Sequence, residues 1–145
     1  MLRGLKNIES LEGKKVILRV DVNVPVIDGE ISEGADWRIR AILPTLNYLS
    51  DSGAKIIMIA HFGRPKGHDM HFSLYPVFAK LKEIWHKDKI FFSTEVIGNE
   101  TENKISKLKE GDVLFLENLR FYKEEESNEE NFSKKLASYA DIFVN

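Results

Sequence analysis

Six side chains in this 145-residue chain could together hold a small, multiply charged anion: Asp21, Asn23, Arg38, His61, Arg64 and Arg120. A guanidinium presents parallel N–H donors that match two oxygens of a phosphate or carboxylate. Three arginines with an imidazole therefore suit a phosphorylated carboxylate. Asp21 and Asn23 could accept from a ligand hydroxyl or hold the arginines in position. Each residue also has an ordinary structural reading. Asp21 could pair with Arg19 at a strand end, and Asn23 could serve the turn before Val24-Pro25. His61 could be a hydrogen-bonded structural histidine. Arg64 could be a solvated charge within Gly63-Arg64-Pro65-Lys66-Gly67, and Arg120 could pair with the acidic run Glu124 to Glu126, itself read as a solvated face.

Their common position favours a single site. Lys15 to Val26 is rich in β-branched residues and closed by Pro25, giving a strand over Val16–Val20 followed by a loop with an Asp28-Gly29 turn. Asp36 is the expected N-cap of a helix carrying Ile39, Ile42, Leu43, Leu46 and Leu49 at helical spacing. Pro44, within that pattern, should kink the helix or mark its start. Gly53 ends it, and Lys55–Ala60 is a continuous apolar strand. His61–Met70 is a loop, Ser73 caps a helix through Trp85, and Ile90–Phe92 is a third strand. A helix over Glu100–Lys109 ends at Gly111, Val113–Leu116 is the fourth strand, and Asn118–Ser127 is a loop. Asn128–Tyr139 reads as helix and Asp141–Val144 as a fifth strand, where the sequence stops.

Such strand–helix alternation predicts an α/β fold, a doubly wound, mostly parallel sheet with helices on both faces. Ligands of open parallel sheets sit outside the carboxyl ends of the strands. Asp21 and Asn23 follow the first strand, His61 and Arg64 the second, and Glu117, Asn118 and Arg120 the fourth. Arg38 opens the helix after the first strand and lies at the same edge.

Composition narrows the partners. With 43% apolar and 30% charged residues, the chain reads as one soluble globular domain. A net charge of −2 gives no global attraction to nucleic acid or membrane, so anion affinity must be local. Met1 to Glu12 lacks the apolar core of a signal peptide, and Ile56–Ala60 is far too short to span a bilayer. With no Cys, neither disulfides nor Cys-ligated metals are available. A cytoplasmic protein is the expectation. No G-x-G-x-x-G follows the first strand, which disfavours a dinucleotide-binding oxidoreductase, and no G-x-x-x-x-G-K-[ST] loop occurs. His61, His68, His71 and His86 have no recognised metal spacing, so no metal site is expected.

The rim residues lie within longer strings: GKKVILRVDVNVPV (13–26), WRIRAILPTL (37–46), GAKIIMIAHFGRPKG (53–67), SLYPVFAKL (73–81), VLFLENLRFY (113–122) and DIFVN (141–145). These strings make the chain resemble, from first residues to last, the N-terminal, Rossmann-like domain of the phosphoglycerate kinase family. The resemblance implies a basic pocket for 3-phosphoglycerate. Asp21 and Asn23 would contact the hydroxyl or carboxyl end, and His61 and Arg64 the phosphate side. Arg120 would complete the group, and Arg38 would be the catalytic arginine near the transferring phosphoryl group. Departures from the family strings are Val22, Asp36-Trp37, Ala60 and Phe62, none at a site position.

The implied reaction is glycolytic: phosphoryl transfer between ATP and the carboxylate of 3-phosphoglycerate, giving ADP and 1,3-bisphosphoglycerate, with Mg2+. The family continues past VN with a D-A-F string, an A-H-R motif bearing a further substrate arginine, and a second domain holding the nucleotide. Residues 1–145 are therefore expected to be an incomplete substrate-binding domain. Alone it should bind no nucleotide or metal and be inactive, with the C-terminal domain as its missing partner. A non-catalytic anion-binding or scaffold module that kept the fold is the alternative.

Overall fold

Strands that are apolar on both faces are buried in the middle of a layered structure, and the described residues supply five strands, of which the central three are buried and the two at the edges are partly exposed. The computed structural model describes residues 4–126 and 129–145. β1 (Lys15–Arg19), β2 (Lys55–Ile59), β3 (Ile90–Ser93), β4 (Val113–Leu116) and β5 (Ile142–Val144) form a sheet in the order β3-β4-β2-β1-β5. All four pairings are parallel, with Val16 opposite Ile56 and Ile142, and Ile57 opposite Leu114. The helices are α1 (Trp37–Asp51), α2 (Tyr75–Trp85), α3 (Asn99–Ser106), the single turn α4 (Lys123–Glu126) and α5 (Glu130–Ala137).

The chain steps from β1 to β2 to β3 in one direction, then returns through β4 to β5. Crossovers of one hand put the outgoing helices on one face and the returning helices on the other. The core divides accordingly. Val16, Leu18, Ile56, Met58, Val113 and Phe115 pack with Ile39, Ile42, Leu46 and Leu49 of α1 and Val77, Phe78, Leu81 and Trp85 of α2. The alternate strand residues Ile17, Ile57, Ile59, Leu114 and Leu116 pack with Ile105, Leu108, Phe132 and Tyr139. Trp85 Nε1 donates to Asn47 Oδ1 at 2.8 Å, tying α2 to α1. The doubly wound, two-faced α/β architecture matches the reading of the sequence.

Several boundaries differ, for identifiable reasons. Asp36 flanks α1 but its carboxylate does not cap it; Oδ2 accepts from Arg40 Nε at 3.0 Å, one turn on. Pro44 does not mark the start of α1, which runs through it; the residue is exposed and removes one backbone donor without ending the helix. α3 stops at Ser106 rather than Lys109, because Lys107 and Leu108 bond back only three residues and Asp112 Oδ2 captures the Lys109 N–H at 2.9 Å. The expected loop after β4 contains a 3-10 turn, Leu119–Phe121, and α4, because Asn118 Oδ1 accepts from Arg120 N and starts a turn. Ser127 and Asn128, at the junction of that loop and the last helix, lie outside the described residues, as do Met1, Leu2 and Arg3. Asp28 and Gly29 both have positive φ, 51° and 77°, between mutually bonded Ile27 and Glu30. That is the geometry of a tight two-residue hairpin turn. Among the described residues no helix is long and apolar enough to cross a membrane.

α3 is clasped to β3 by charge. Lys104 Nζ donates to Phe92 O at 2.7 Å and to Glu100 Oε1 at 2.6 Å, while Thr94 donates to the same carboxylate through its N–H and hydroxyl. Burial opposes the Glu100 charge, but Lys104 and Thr94 outweigh it and lower its pKa from 4.5 to about 2. A carboxylate with a depressed folded pKa stabilises fully above its unfolded pKa, and that stabilisation is lost as pH falls. Denaturant melts should therefore show stability dropping between pH 4.5 and about 2. Glu100→Gln should be less stable than the parent at pH 7 and should lose less across that window.

Candidate anion-binding site

Parallel strands that end together expose their following loops at one edge, and here the ends of β1, β2 and β4 are neighbours. Asp21 leaves β1 and turns back on itself: its Oδ1 accepts from Asn23 N at 3.1 Å. Its other oxygen pairs with Arg38 Nη1 in the first turn of α1. The Asn23 N–H lowers the Asp21 pKa most, with Arg38 and His61 assisting against desolvation. Asp21 is thus a carboxylate whose partner is Arg38, not Arg19. The Arg38 guanidinium also lies 4.8 Å from the centre of the Trp37 ring, an aromatic left 61% exposed. A face-on aromatic attracts a cation and restricts it. Two neighbours therefore hold Arg38 while leaving donors of its five N–H groups directed elsewhere.

Asn23 Oδ1 accepts from Gly63 N at 3.4 Å, joining the β1 loop to the β2 loop. Gly63 has φ 61°, and a methyl at its Cα would collide with the Phe72 ring. Only glycine meets both demands, so the backbone beside Arg64 is narrowly determined. His61 is half-buried, and its Nδ1 is buried with no hydrogen-bond partner among the described residues. Arg64 is exposed on the loop.

Two polar residues at the end of β4 organise this edge. Glu117 is 2% exposed; its Oε1 accepts from Leu74 N and Asn118 N, both at 2.8 Å, and Oε2 from Ser73 Oγ at 2.7 Å. Ser73 Oγ in turn accepts from Tyr75 N. The N-cap of α2 is Leu74, without a side-chain cap bond, rather than the expected Ser73, because the Glu117 carboxylate takes the Ser73 hydroxyl and the Leu74 N–H. Asn118 is fully buried. Its Oδ1 accepts from Phe62 N and Arg120 N, each at 3.0 Å, and its Nδ2 donates to Phe62 O at 2.7 Å and Phe72 O at 2.9 Å. The sequence shows both residues after a strand, but no spacing rule announces that they bind backbone. Trp37 was equally unannounced, since its use depends on where Arg38 lies.

A continuous line of bonds therefore runs from Arg38 through Asp21, Asn23 and Gly63 to Phe62, Asn118 and Arg120. His61 and Arg64 flank its middle. Asp21 and Arg38 also form one wall of a groove of about 860 Å3 beside β5, whose other lining includes Leu5, Ile8, Ile142 and Val144. His61, Arg64 and Arg120 are not part of that groove. A second groove of about 570 Å3 lies at the far sheet edge, along β3, with Lys82, Lys104 and Lys107 among its residues. His68 stacks on Phe121 at 4.4 Å, and His71 Nδ1 lies 2.9 Å from Asp69 Oδ1. Among the described residues no three His, Asp or Glu side chains gather as metal ligands.

Residues 5–145 match the family model for phosphoglycerate kinase. A phosphoglycerate kinase of Dictyoglomus turgidum is 52% identical over 137 residues, covering 94% of this chain and 34% of that protein. A cytosolic phosphoglycerate kinase of Triticum aestivum is 49% identical over 136 residues, covering 93% and 33%. The crystal structure of phosphoglycerate kinase from Pyrococcus horikoshii superposes with a TM-score of 0.85 at 36% identity, covering all of this chain and 36% of that one. The chain thus spans about a third of the length of these relatives. A match that takes in residues 5–145, together with the shared parallel-sheet fold, makes the chain a member of the phosphoglycerate kinase family.

Proposed function

We propose that this chain supplies the 3-phosphoglycerate-binding part of an enzyme that moves a phosphoryl group between ATP and the substrate carboxylate in glycolysis. The observation that carries the reading is the bonded rim, which joins Arg38, the His61–Arg64 loop and Arg120 at the carboxyl ends of adjacent parallel strands. Asp21 and Asn23 meet the hydroxyl or carboxyl end of the substrate, and His61, Arg64 and Arg120 its phosphate side. The His61 Nδ1, which has no hydrogen-bond partner among the described residues, can donate to a ligand oxygen when it carries the proton.

The acceptor carboxylate is already ionised near neutral pH, so the step requires no general base. What it requires is alignment of two anions that repel each other and donors for charge spreading over the transferring oxygens. Arg38 serves that second need. Asp21 and Trp37 keep its guanidinium at the rim, so little reorganisation is needed when the anions arrive. The nucleotide and Mg2+ of the family reaction belong, on this reading, to the remaining two thirds of the longer relatives. When bound there, Mg2+ neutralises phosphate charge. The proposed setting is the cytoplasm, in keeping with a chain that has no Cys.

Isothermal calorimetry on the 145-residue chain should show weak, saturable binding of 3-phosphoglycerate. Arg38→Ala and Arg64→Ala should each weaken it by about tenfold or more, the worth of a charge-assisted hydrogen bond. Unchanged binding in both variants would refute the site. A coupled assay should find no ATP-dependent turnover by these 145 residues alone, and sustained turnover would show that they carry a nucleotide site after all.

A further inference from the structure

The arginine rim leaves the far edge of the sheet unused. β3 is an edge strand, and a groove of about 570 Å3 lies along it, lined from both α2 and the end of α3. The lining joins two kinds of surface. Phe91, 46% exposed, lies in it together with the buried Ile90, Leu108 and Leu114. Charge comes from Lys82 near the end of α2 and from Lys107 and Lys109 just after α3; none of these three enters an ion pair among the described residues. Two carboxylates share the groove. Asp112 is buried and committed to backbone, its Oδ2 accepting from Lys109 N at 2.9 Å, whereas Asp88 is exposed. The three lysines and Asp88 stand where α2 and α3 lead into β3 and β4, at the amino-terminal end of the sheet. The arginine rim is at the carboxyl-terminal end.

Lysines beside a sheet edge also deter strand pairing, but that role needs neither an exposed aromatic nor a groove. The edge is in any case closed by another lysine. Lys89 O accepts from Val113 N at 2.7 Å, so the next residues in alternation, Ile90 and Phe92, turn their backbone groups away from β4. Lys104 Nζ takes Phe92 O at 2.7 Å, and Glu100 neutralises that ammonium. A docking peptide strand would have to displace this bond, which disfavours an extended peptide as the occupant. What remains is apolar surface with three unpaired cations, in a volume that suits a small molecule. An apolar body would cover Phe91 while one acid group met the lysines. A polyphosphate would bury no apolar surface and would bring dense charge toward Asp88. We propose that the β3 groove is a binding site for an amphipathic anion of the medium-chain carboxylate class, independent of the arginine rim.

Calorimetry and amide NMR on the full chain, with decanoate as the probe, test this. Decanoate should bind saturably and shift Lys82, Phe91 and Lys107, leaving Asn23 and Gly63 unmoved. Butanoate, which keeps the acid but lacks the chain, and decanol, which keeps the chain but lacks the acid, should each bind at least about tenfold more weakly. The double variant Lys82→Ala/Lys107→Ala should lose about tenfold in decanoate affinity, and Phe91→Ser about fivefold. Saturating 3-phosphoglycerate should leave the decanoate isotherm unchanged. Equal binding of decanol or butanoate, competition by 3-phosphoglycerate, or shifts that do not saturate would each overturn the proposal. So would an acidic peptide that binds more tightly than decanoate at the same residues, which would make the groove a strand-docking edge. Where a variant does not fold, the shift map and the three-probe comparison in the parent decide alone. Because the rim and the groove are read at different residues, failure here leaves the 3-phosphoglycerate reading standing, and failure of that reading leaves this one standing.

Discussion

A buried amide must have its hydrogen bonds made inside the protein, because an unpaired donor or acceptor there costs about 1–3 kcal/mol. Asn118 meets that demand with four bonds, all to backbone, from segments that follow different elements. The geometry of the site follows from this. The loop after β2 cannot settle without the end of β4, and Arg120 cannot settle without the loop. Glu117, one residue earlier, applies the same logic to the start of α2: its carboxylate takes the N–H of Leu74 and the hydroxyl of Ser73. Negative charge at a helix start is favourable, which offsets part of the cost of burying it.

The remainder of the fold prepares this junction. Parallel strands bring their carboxyl ends to one edge, and two-sided burial makes their register hard to slip. Phe115 and Leu116 are fully buried immediately before Glu117, so the polar pair emerges from rigid core. On the β1 side the rim is looser. Asp21 and Arg38 are partly exposed, the Asn23–Gly63 bond is long at 3.4 Å, and the adjacent groove is open. The rim thus grades from a fully buried end at Asn118 to a partly exposed end at Arg38, where Asp21 and Trp37 hold the guanidinium.

Much of this was legible in the residues. The short apolar run between Gly111-Asp112 and Glu117-Asn118 gives β4 its observed bounds, Val113–Leu116. The edge position of Asp21, Asn23, Arg38, His61, Arg64 and Arg120 followed from strand–helix alternation alone. What was not legible depends on contacts between distant segments. Asp36 reads as a cap from its position, yet Arg40 takes its carboxylate. Asp21 reads as a partner for nearby Arg19, yet the helix brings Arg38 to it. Asn118 reads as loop chemistry, and its role exists only because Phe62 and Phe72 fold against it. Local rules find elements, and tertiary hydrogen bonds decide what the polar side chains between them do.

The central claim is that the edge built from β1, β2 and β4 is an anion site. The most direct measurement is a two-dimensional amide NMR titration of the chain with 3-phosphoglycerate. The account predicts saturable shifts at Asn23, Arg38, Phe62, Gly63 and Arg120, with Lys82 and Lys107 of the β3 groove unmoved. Shifts confined to those lysines, or shifts that never saturate, would contradict it.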